Sequence, residues 1–280
     1  MPHPELSVVL EKECELMNFY APLYRKLPLF NSLNYQEGRK TFVRWVLGKL
    51  AADGRDPRQL KILEVGVSSG DVLELLAHAG CANLTGLDIA ENMVDETRRR
   101  VPQARVIQGS IERHDFKGEQ FDAVIATFTL HHMHQAQPFF DLVNRVLAPG
   151  GRFFIGEYNA DGWANNRFSR PIVEALAAPG RRLFKIKNRK VLAAQGKLPL
   201  LFNPAHRLLR WQEIRSAIPN PDAYGIERET LGLFTLAYNF ALVPSSRVDH
   251  AFYRVLCWID GIVKPFRAGG YQCITGLRKR

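Results

Sequence analysis

The sequence predicts an α/β fold, a parallel sheet wound with helices on both faces, and three observations predict it. Short apolar runs of strand length alternate with helix-length stretches between residues 60 and 158, the rhythm of strands joined by helical crossovers. The first run, Lys61-Ile-Leu-Glu-Val65, is nearly continuous in apolar character, as a strand buried on both faces must be. It ends in Gly66-Val-Ser-Ser-Gly70, small residues that let backbone approach a ligand closely, and a helical pattern opens at Val72.

Residues 5–50 read as helical by mixed apolar periodicity, interrupted by Pro22 and Pro28. Residues 51–57 form a loop by their Gly, Asp and Pro content. Strands are expected at Lys61–Val65, Asn83–Asp88, Ala104–Gln108, Phe121–Thr127 and Gly151–Glu157, with helices at Asp71–Ala79, Ala90–Arg100 and Pro138–Leu147. The last helix stops at the turn signature Ala148-Pro-Gly-Gly151. After Tyr158 the rhythm breaks, and residues 160–205 hold two helix-like pieces, about 163–178 and 182–195. A long excursion from a regular scaffold reads as a lid. Its Gly and Pro residues leave places to hinge, so ligand binding is expected to order it. Regularity returns with a helix at Trp211–Ala217, a strand at Tyr224–Leu236, a helix at Ser246–Ile262 and a strand at Gly270–Leu277. The expected organisation is one domain: an N-terminal helical cap at 1–55, a core at 56–158, a helical lid insertion at 159–205, and a completion of the sheet at 206–280.

At 280 residues and 46% hydrophobic content the chain buries a substantial core. No apolar run approaches the ~18 residues that span a bilayer, and the first residues lack a basic segment followed by an apolar one. The expectation is a cytoplasmic protein without a transmembrane segment. Cys14, Cys81, Cys257 and Cys273 form no CxxC pair and read as reduced thiols. The net charge of +10 is uneven: residues 1–150 hold 17 Lys and Arg against 19 Asp and Glu, and residues 151–280 hold 21 against 9. Such asymmetry marks either a face for acidic partners or a solvated surface.

The chemistry concentrates at strand ends. Glu64 sits inside a buried run, where an unpaired charge is costly. Eighteen residues after Gly70, Leu84-Thr-Gly-Leu-Asp88 is a second strand ending in an acid, placed for a ribose diol. These motifs, with Gln108-Gly-Ser-Ile-Glu112, Phe121–Thr127 and Leu147–Glu157 in order and register, resemble the class I S-adenosylmethionine (SAM) dependent methyltransferases of the small-molecule type over about residues 60–158. The family's (D/E)xGxGxG turn is kept here as Glu64-Val-Gly66-Val-Ser68-Ser-Gly70, with Ser68 at the middle glycine.

The resemblance implies a Rossmann-like, doubly wound, seven-stranded sheet with strand seven antiparallel, and a SAM-binding core. It implies that Glu64 acts on the ammonium end of SAM, that Gly66, Ser68 and Gly70 admit its methionine portion, and that Asp88 bonds the ribose. Ile89 and Met93 would pack on adenine. Ser110 and Ile111 would follow the third strand, Ser110 standing where the family more often has an acid, and Thr127 and Phe128 would complete the site at the end of the fourth. Tyr20 and Tyr24, in a segment resembling the family's tyrosine-containing helix over SAM, lie four apart, on one helix face if the turn survives Pro22. A nicotinamide cofactor fits less well: the GxGxxG spacing is absent, and Asp71 at the helix start repels a pyrophosphate.

The segment Thr127-Phe-Thr-Leu-His-His-Met-His134 lacks the (N/D)PP(Y/F) signature of many enzymes that methylate adenine or glutamine amino groups. It resembles the Leu-His-His run of C- and O-methyltransferases such as the ubiquinone and menaquinone pathway enzymes. His131 or His132 is a candidate general base, or a loop anchor; Glu157 and Tyr158 face substrate or cap their strand. No metal site is expected from His131, His132 and His134, since adjacent histidines point apart and no acid is near in sequence. Residues 181–190 pack six cations around Leu183, Phe184 and Ile186, a solvated lid helix or a grip for phosphates or an anionic membrane surface.

The expected function is methyl transfer from SAM, giving S-adenosylhomocysteine, to a small-molecule acceptor on oxygen, nitrogen or carbon in a biosynthetic step. Nucleic acid is a possible but less favoured partner, through the basic second half. The other alternative is a SAM-consuming cyclase or lyase on the same fold. The sequence does not give the oligomeric state.

Overall fold

The computed structural model describes residues 4–24, 26, 33–133, 136–162, 171, 208–231, 254–255, 258–259, 262 and 272–279. Seven strands form one sheet in the order β3-β2-β1-β4-β5-β7-β6. They are β1 (Lys61–Val65), β2 (Asn83–Asp88), β3 (Arg105–Gln108), β4 (Phe121–Thr127), β5 (Leu147–Tyr158), β6 (Tyr224–Leu231) and β7 (Gln272–Lys279). The first five pair in parallel, and β7 runs antiparallel to both β5 and β6. Strand order reverses between β1 and β4, so their carboxyl ends flank the crevice where open α/β sheets take ligands.

The described helices are α1 (Pro4–Tyr20), α2 (Leu33–Ala52), α3 (Asp71–His78), α4 (Glu91–Arg100), α5 (Gln137–Val146) and α6 (Trp211–Ala217). Alternation along the strands sorts them onto two faces. Ile62 packs with Phe42, Val43, Val46 and Leu50 of α2 and with Leu73 and Leu76 of α3. Leu63 and Val65 pack on the other face with Phe139, Phe140 and Val143 of α5 and Ile214 of α6. Glu64 shares the face of Ile62 and therefore lies on the α2–α3 side, at the carboxyl edge. Local signals set the helix ends: Glu91 opens α4 and Arg98, Arg99 and Arg100 close it, matching the helix dipole, and Pro138 occupies the first turn of α5. None of the described helices is long and apolar enough to cross a membrane.

The expected strands at β1, β2 and β4 coincide with the observed ones, and α6 has the expected bounds. Three expectations need correction. Pro22 ends α1, and Ala21–Leu23 form a 3-10 turn, so Tyr20 and Tyr24 do not share a continuous helix. Strand β5 begins at Leu147 and not Gly151, because Leu147 pairs with Phe121 before the register shifts to Arg152 and Ala123. The expected turn is thus a bulge within the strand. The last strand is Gln272–Lys279, two residues later than expected. Most of the expected lid, with its basic run at 181–190, lies outside the described residues, as do His134, residues 232–236 of the expected sixth strand and most of the expected helix Ser246–Ile262.

Candidate active site

The turn after β1 is shaped by its own chain. Gly66 and Gly70 have φ of +71° and +78°, and Ser68 has +51°, the left-handed region that favours glycine. A Cβ on Gly66 would stand 2.4 Å from Thr129 Oγ1, and one on Gly70 would stand 2.9 Å from Thr97 Cγ2. The glycines are therefore demanded by close packing of the turn on the loop after β4 and on α4, and not only by space for a ligand. Thr97 Oγ1 donates to the Ser68 carbonyl at 2.8 Å. Arg100, almost fully buried, binds Asp71 at 2.7 Å, and also Glu74 and the Ser69 carbonyl. Burial would raise the Asp71 carboxyl, but Arg39 and Arg100 outweigh it and hold it below its ordinary value.

Glu64 has the opposite fate. It is 1% exposed, Thr127 Oγ1 stands 3.5 Å from its Oε1, the Leu73 N–H acts on the carboxyl as a backbone donor, and its Oε2 has no hydrogen-bond partner among the described residues. Burial pushes its carboxyl well above the ordinary value against the pull of Arg39, with Asp71 adding to the rise.

Asp88 closes β2 and organises backbone. Its Oδ2 accepts from the Ser68 N–H at 2.8 Å and its Oδ1 from the Ala90 N–H at 3.0 Å. Burial raises its carboxyl, and these two bonds oppose the rise. Beside it, Met93 and Ala90 form an apolar cluster with Ala21 and Tyr24, against which Met17, Tyr20, Tyr35 and Ile89 pack. Tyr20 and Tyr24 thus join the cluster of Ala90 and Met93 beside Asp88 despite the break at Pro22. The cap is fastened by Asn18, which bonds Asn92 N–H and side chain at 2.9 and 3.1 Å. At the end of β3, the Ser110 hydroxyl donates to Glu112 and accepts the Glu112 N–H. Ser110 thereby holds a carboxylate two residues on from its own position, while Ile111 is buried in the core.

Across the crevice, Phe128 is held at φ +51°, an uncommon conformation for a bulky residue, with its N–H on the Gly156 carbonyl at 2.7 Å. A 3-10 turn, Leu130–His132, follows. Glu157, near the end of β5, accepts from the Leu130 N–H at 2.8 Å and from His131 Nδ1 at 2.8 Å. Burial would raise Glu157, but His131 outweighs it and the carboxyl lies below its ordinary value. His132 Nδ1 meets Glu13 of α1 at 2.8 Å. Burial would lower the His132 imidazole, and Glu13 more than reverses this. The two imidazoles lie 4.1 Å apart, so these adjacent histidines do not point apart. Acids do reach them, from β5 and α1. Among the described residues no group of three or more His, Cys, Asp and Glu has a metal-holding arrangement. The rings of Phe128 and His131 stand 4.7 and 5.1 Å from that of Tyr158.

Sequence reasoning missed four residues that the fold brings here: Glu13, Arg39, Arg100 and Glu112. Arg39 had a readable signal, since it continues the buried face of α2 through Val43, Val46 and Leu50.

This crevice, between the two halves of a doubly wound sheet with strand-end acids on both sides, has the layout of class I methyltransferases. Residues 63–155 match the family model described as a methyltransferase domain. The chain carries a domain of the class I SAM-dependent methyltransferase family. It is 32% identical over 101 residues to a demethylmenaquinone methyltransferase of Tropheryma whipplei, covering 35% of this chain and 42% of that protein. The corresponding protein of Chlorobaculum tepidum is 29% identical over 133 residues, covering 46% of this chain and 55% of its own length. The chain spans about half the length of the curated relatives it matches. The fold is shared with the magnesium protoporphyrin IX methyltransferase of Synechocystis, solved with S-adenosylhomocysteine, at a TM-score of 0.50, 15% identity and coverage of 89% and 84%. It is also shared with the PH0226 protein of Pyrococcus horikoshii at a TM-score of 0.53, 15% identity and coverage of 94% and 98%.

Proposed function

We propose that this protein transfers a methyl group from SAM to a small-molecule acceptor, and that the acceptor presents an acidic hydroxyl or carbon. The observation that carries the reading is Glu64, a carboxylate buried at the crevice with an oxygen that no described residue satisfies. Such a group calls for a cationic ligand, and the cofactor's amino-acid end has an ammonium. The other residues fit as well. Asp88 keeps acceptor capacity for a ribose diol beyond its two backbone bonds. Ile89 and Met93 offer an apolar wall for adenine, and Glu112, held by Ser110, offers the carboxylate that Ser110 lacks. Tyr20 and Tyr24 belong to the cap packed on that wall. When bound, the cofactor supplies an electrophilic methyl group on a sulfonium.

The chain's own residues supply alignment and a place for the acceptor's proton. Glu157 is anionic and accepts only, so His131 donates from Nδ1 and exchanges the acceptor proton at Nε2. Phe128 and Tyr158, the rings beside His131, suit a flat acceptor. The relatives named as demethylmenaquinone methyltransferases support the small-molecule reading.

Titration calorimetry with SAM and S-adenosylhomocysteine tests the cofactor. Binding by the wild type and a loss of about tenfold or more in Asp88→Asn are expected, as for a charge-assisted hydrogen bond. No binding by the wild type overturns the reading. Mass spectrometry of turned-over cofactor tests the reaction: S-adenosylhomocysteine is expected, and methylthioadenosine would mean that the chain does not transfer methyl groups.

A further inference from the structure

We infer that the second half of the chain docks on an anionic lipid surface through an apolar stripe, Val255, Trp258 and Ile262, that enters the lipid boundary while basic charge holds the headgroups. The inference goes beyond methyl transfer and does not rest on the reading of the crevice.

Five large apolar side chains are exposed among the described residues: Val8, Leu208, Val255, Trp258 and Ile262. The last three gather within residues 255–262. Arg254, Val255, Trp258, Ile259 and Ile262 are helical, and steps of three and four residues put Val255, Trp258 and Ile262 on one helix face. They are 49%, 66% and 58% exposed. Single apolar residues scattered over a surface need no explanation, but a row on one face does. Trp258 weighs most. Tryptophan is highly buried on average, and its amphipathic ring favours the boundary between lipid and water.

Charge names the partner. Residues 151–280 hold 21 Lys and Arg against 9 Asp and Glu, a balance of +12, and six of the cations fall within 181–190. Arg254 is exposed beside the stripe, Lys264 and Arg267 follow it in the chain, and Asp260 is the only acid between Arg254 and Arg267. Attraction of cations to anionic headgroups and burial of an apolar face are the two contributions that together hold a protein on a membrane. A second copy of the chain fits worse, because a two-fold contact sets the same patch against itself and one +12 half would face another. A nucleic acid would use the cations but gives Val255 and Ile262 nothing to bury against. None of the described helices is built to cross a bilayer, so the contact is with its surface. The connection that bears the stripe leaves the sheet after Leu231 and returns at Gln272, which pairs with both Leu231 and Tyr158 at the carboxyl edge. Docking through a connection rooted at that edge tethers the crevice to the bilayer.

The test is cosedimentation of the full chain with two kinds of vesicle, phosphatidylcholine alone and phosphatidylcholine with phosphatidylserine in equal parts. The wild type is expected to bind the second kind, to bind the first far more weakly, and to be released as salt screens the headgroups. Trp258→Ala is expected to lose about tenfold or more in partitioning, as for withdrawing one large apolar side chain from lipid, with an unchanged melting temperature. If Trp258→Ala does not fold, Trp258→Phe carries the test. It should still sediment with the vesicles, but the blue shift of tryptophan emission that accompanies wild-type binding should be lost. A wild type that binds neither vesicle, or both equally, overturns the inference, and so does a Trp258→Phe variant that keeps the full emission shift. A Trp258-dependent dimer in sedimentation equilibrium without vesicle binding would assign the stripe to a second copy. Salt-sensitive binding to total RNA without vesicle binding would assign the charge to nucleic acid. Either result replaces the lipid surface as the partner.

Discussion

Glu64 and Glu157 each sit one residue before the end of a strand, on β1 and β5 either side of β4, and both are almost fully buried. Their carboxyls are shifted in opposite directions. Glu157 accepts from Leu130 N–H, His131 and, at 3.3 Å, Tyr158 N–H, and its carboxyl lies below the ordinary value. Glu64 has a long contact to Thr127, a weak donor in the Leu73 N–H and an unpartnered oxygen, and its carboxyl lies well above it. Burial is the same for both, so partners alone decide the difference. One acid is finished by its own chain and serves to orient a histidine. The other keeps an oxygen without a partner among the described residues, which the proposed cofactor would complete. The proposed division of labour, cofactor at β1 and β2 and acceptor chemistry at β4 and β5, follows from that contrast.

The largest effect should come from breaking the finished acid. Glu157→Ala leaves the Leu130 N–H and the His131 ring without their partner, and loss of one member of a buried pair costs about 3–5 kcal/mol. Chemical denaturation should show that loss in the midpoint. In the milder Glu157→Gln, catalysis should fall about 10²- to 10⁴-fold with little change in cofactor affinity, since the histidine loses its orienting charge. Wild-type turnover by Glu157→Gln would remove the dyad from the reaction.

The same substitution at the unfinished acid should act with the opposite sign. Glu64→Gln removes a charge that burial disfavours, so the ligand-free protein should melt higher, by about 2–4 °C for each kcal/mol of relief, while its affinity for S-adenosylhomocysteine falls. A variant that melts lower would mean that Glu64 is satisfied by the chain after all, and the contrast would collapse.

Acidification should separate the two acids. Glu157 is depressed when folded, so the stability it contributes is present above the unfolded carboxyl value of about 4.3 and is lost as pH falls through its lower folded value. Glu64 is raised when folded, so its cost at neutral pH vanishes as pH falls through that higher value. The melting gap between Glu64→Gln and the wild type should therefore close at a higher pH than the gap between Glu157→Gln and the wild type. Melting curves of the three proteins from pH 7 down to about 2 measure both; simultaneous closure would deny that the acids differ.

Much of this was legible in the chain. Strands β1, β2 and β4 announce themselves as apolar runs, and Glu64 stands out because a carboxylate there breaks the pattern. What could not be read was partnership. Glu13 meets His132, Arg100 meets Asp71, and Glu157 meets His131 only because the sheet order brings α1, α4 and β5 to these places, and helix spacing or strand alternation says nothing about such pairs. Arg39 was hidden differently. Lys40 and Arg44 surround it with charge, so the segment reads as a solvated surface. Only the buried stripe of Val43, Val46 and Leu50, extended back one turn, separates the inward cation from the outward ones. The glycine turn was read correctly as special and for an incomplete reason, since Thr129 and Thr97 fill the space that a side chain would need.

The smallest effect tests how the two halves of the crevice are joined. Glu13 lies on α1, which is fastened to α4 through Asn18 and Asn92, and its ion pair with His132 carries the cap across to the loop after β4. The groups acting on His132 are Glu13 first, then Glu157 and Asp88, and all three favour its charged form against burial. A histidine raised when folded stabilises fully below its unfolded value of about 6.5, and that stability is lost as pH rises through the folded value. Glu13 is buried and His132 is about a quarter exposed, so solvent still screens the pair in part and its share is about 1 kcal/mol. Hydrogen exchange over residues 4–20 should therefore quicken up to about fivefold between pH 6 and 9 after correction for intrinsic rates. In Glu13→Gln the same segment should exchange at the faster level throughout. A wild-type cap whose corrected protection does not change with pH would mean that α1 is held by its apolar contacts and by Asn18 alone, and that the two halves of the crevice are closed independently.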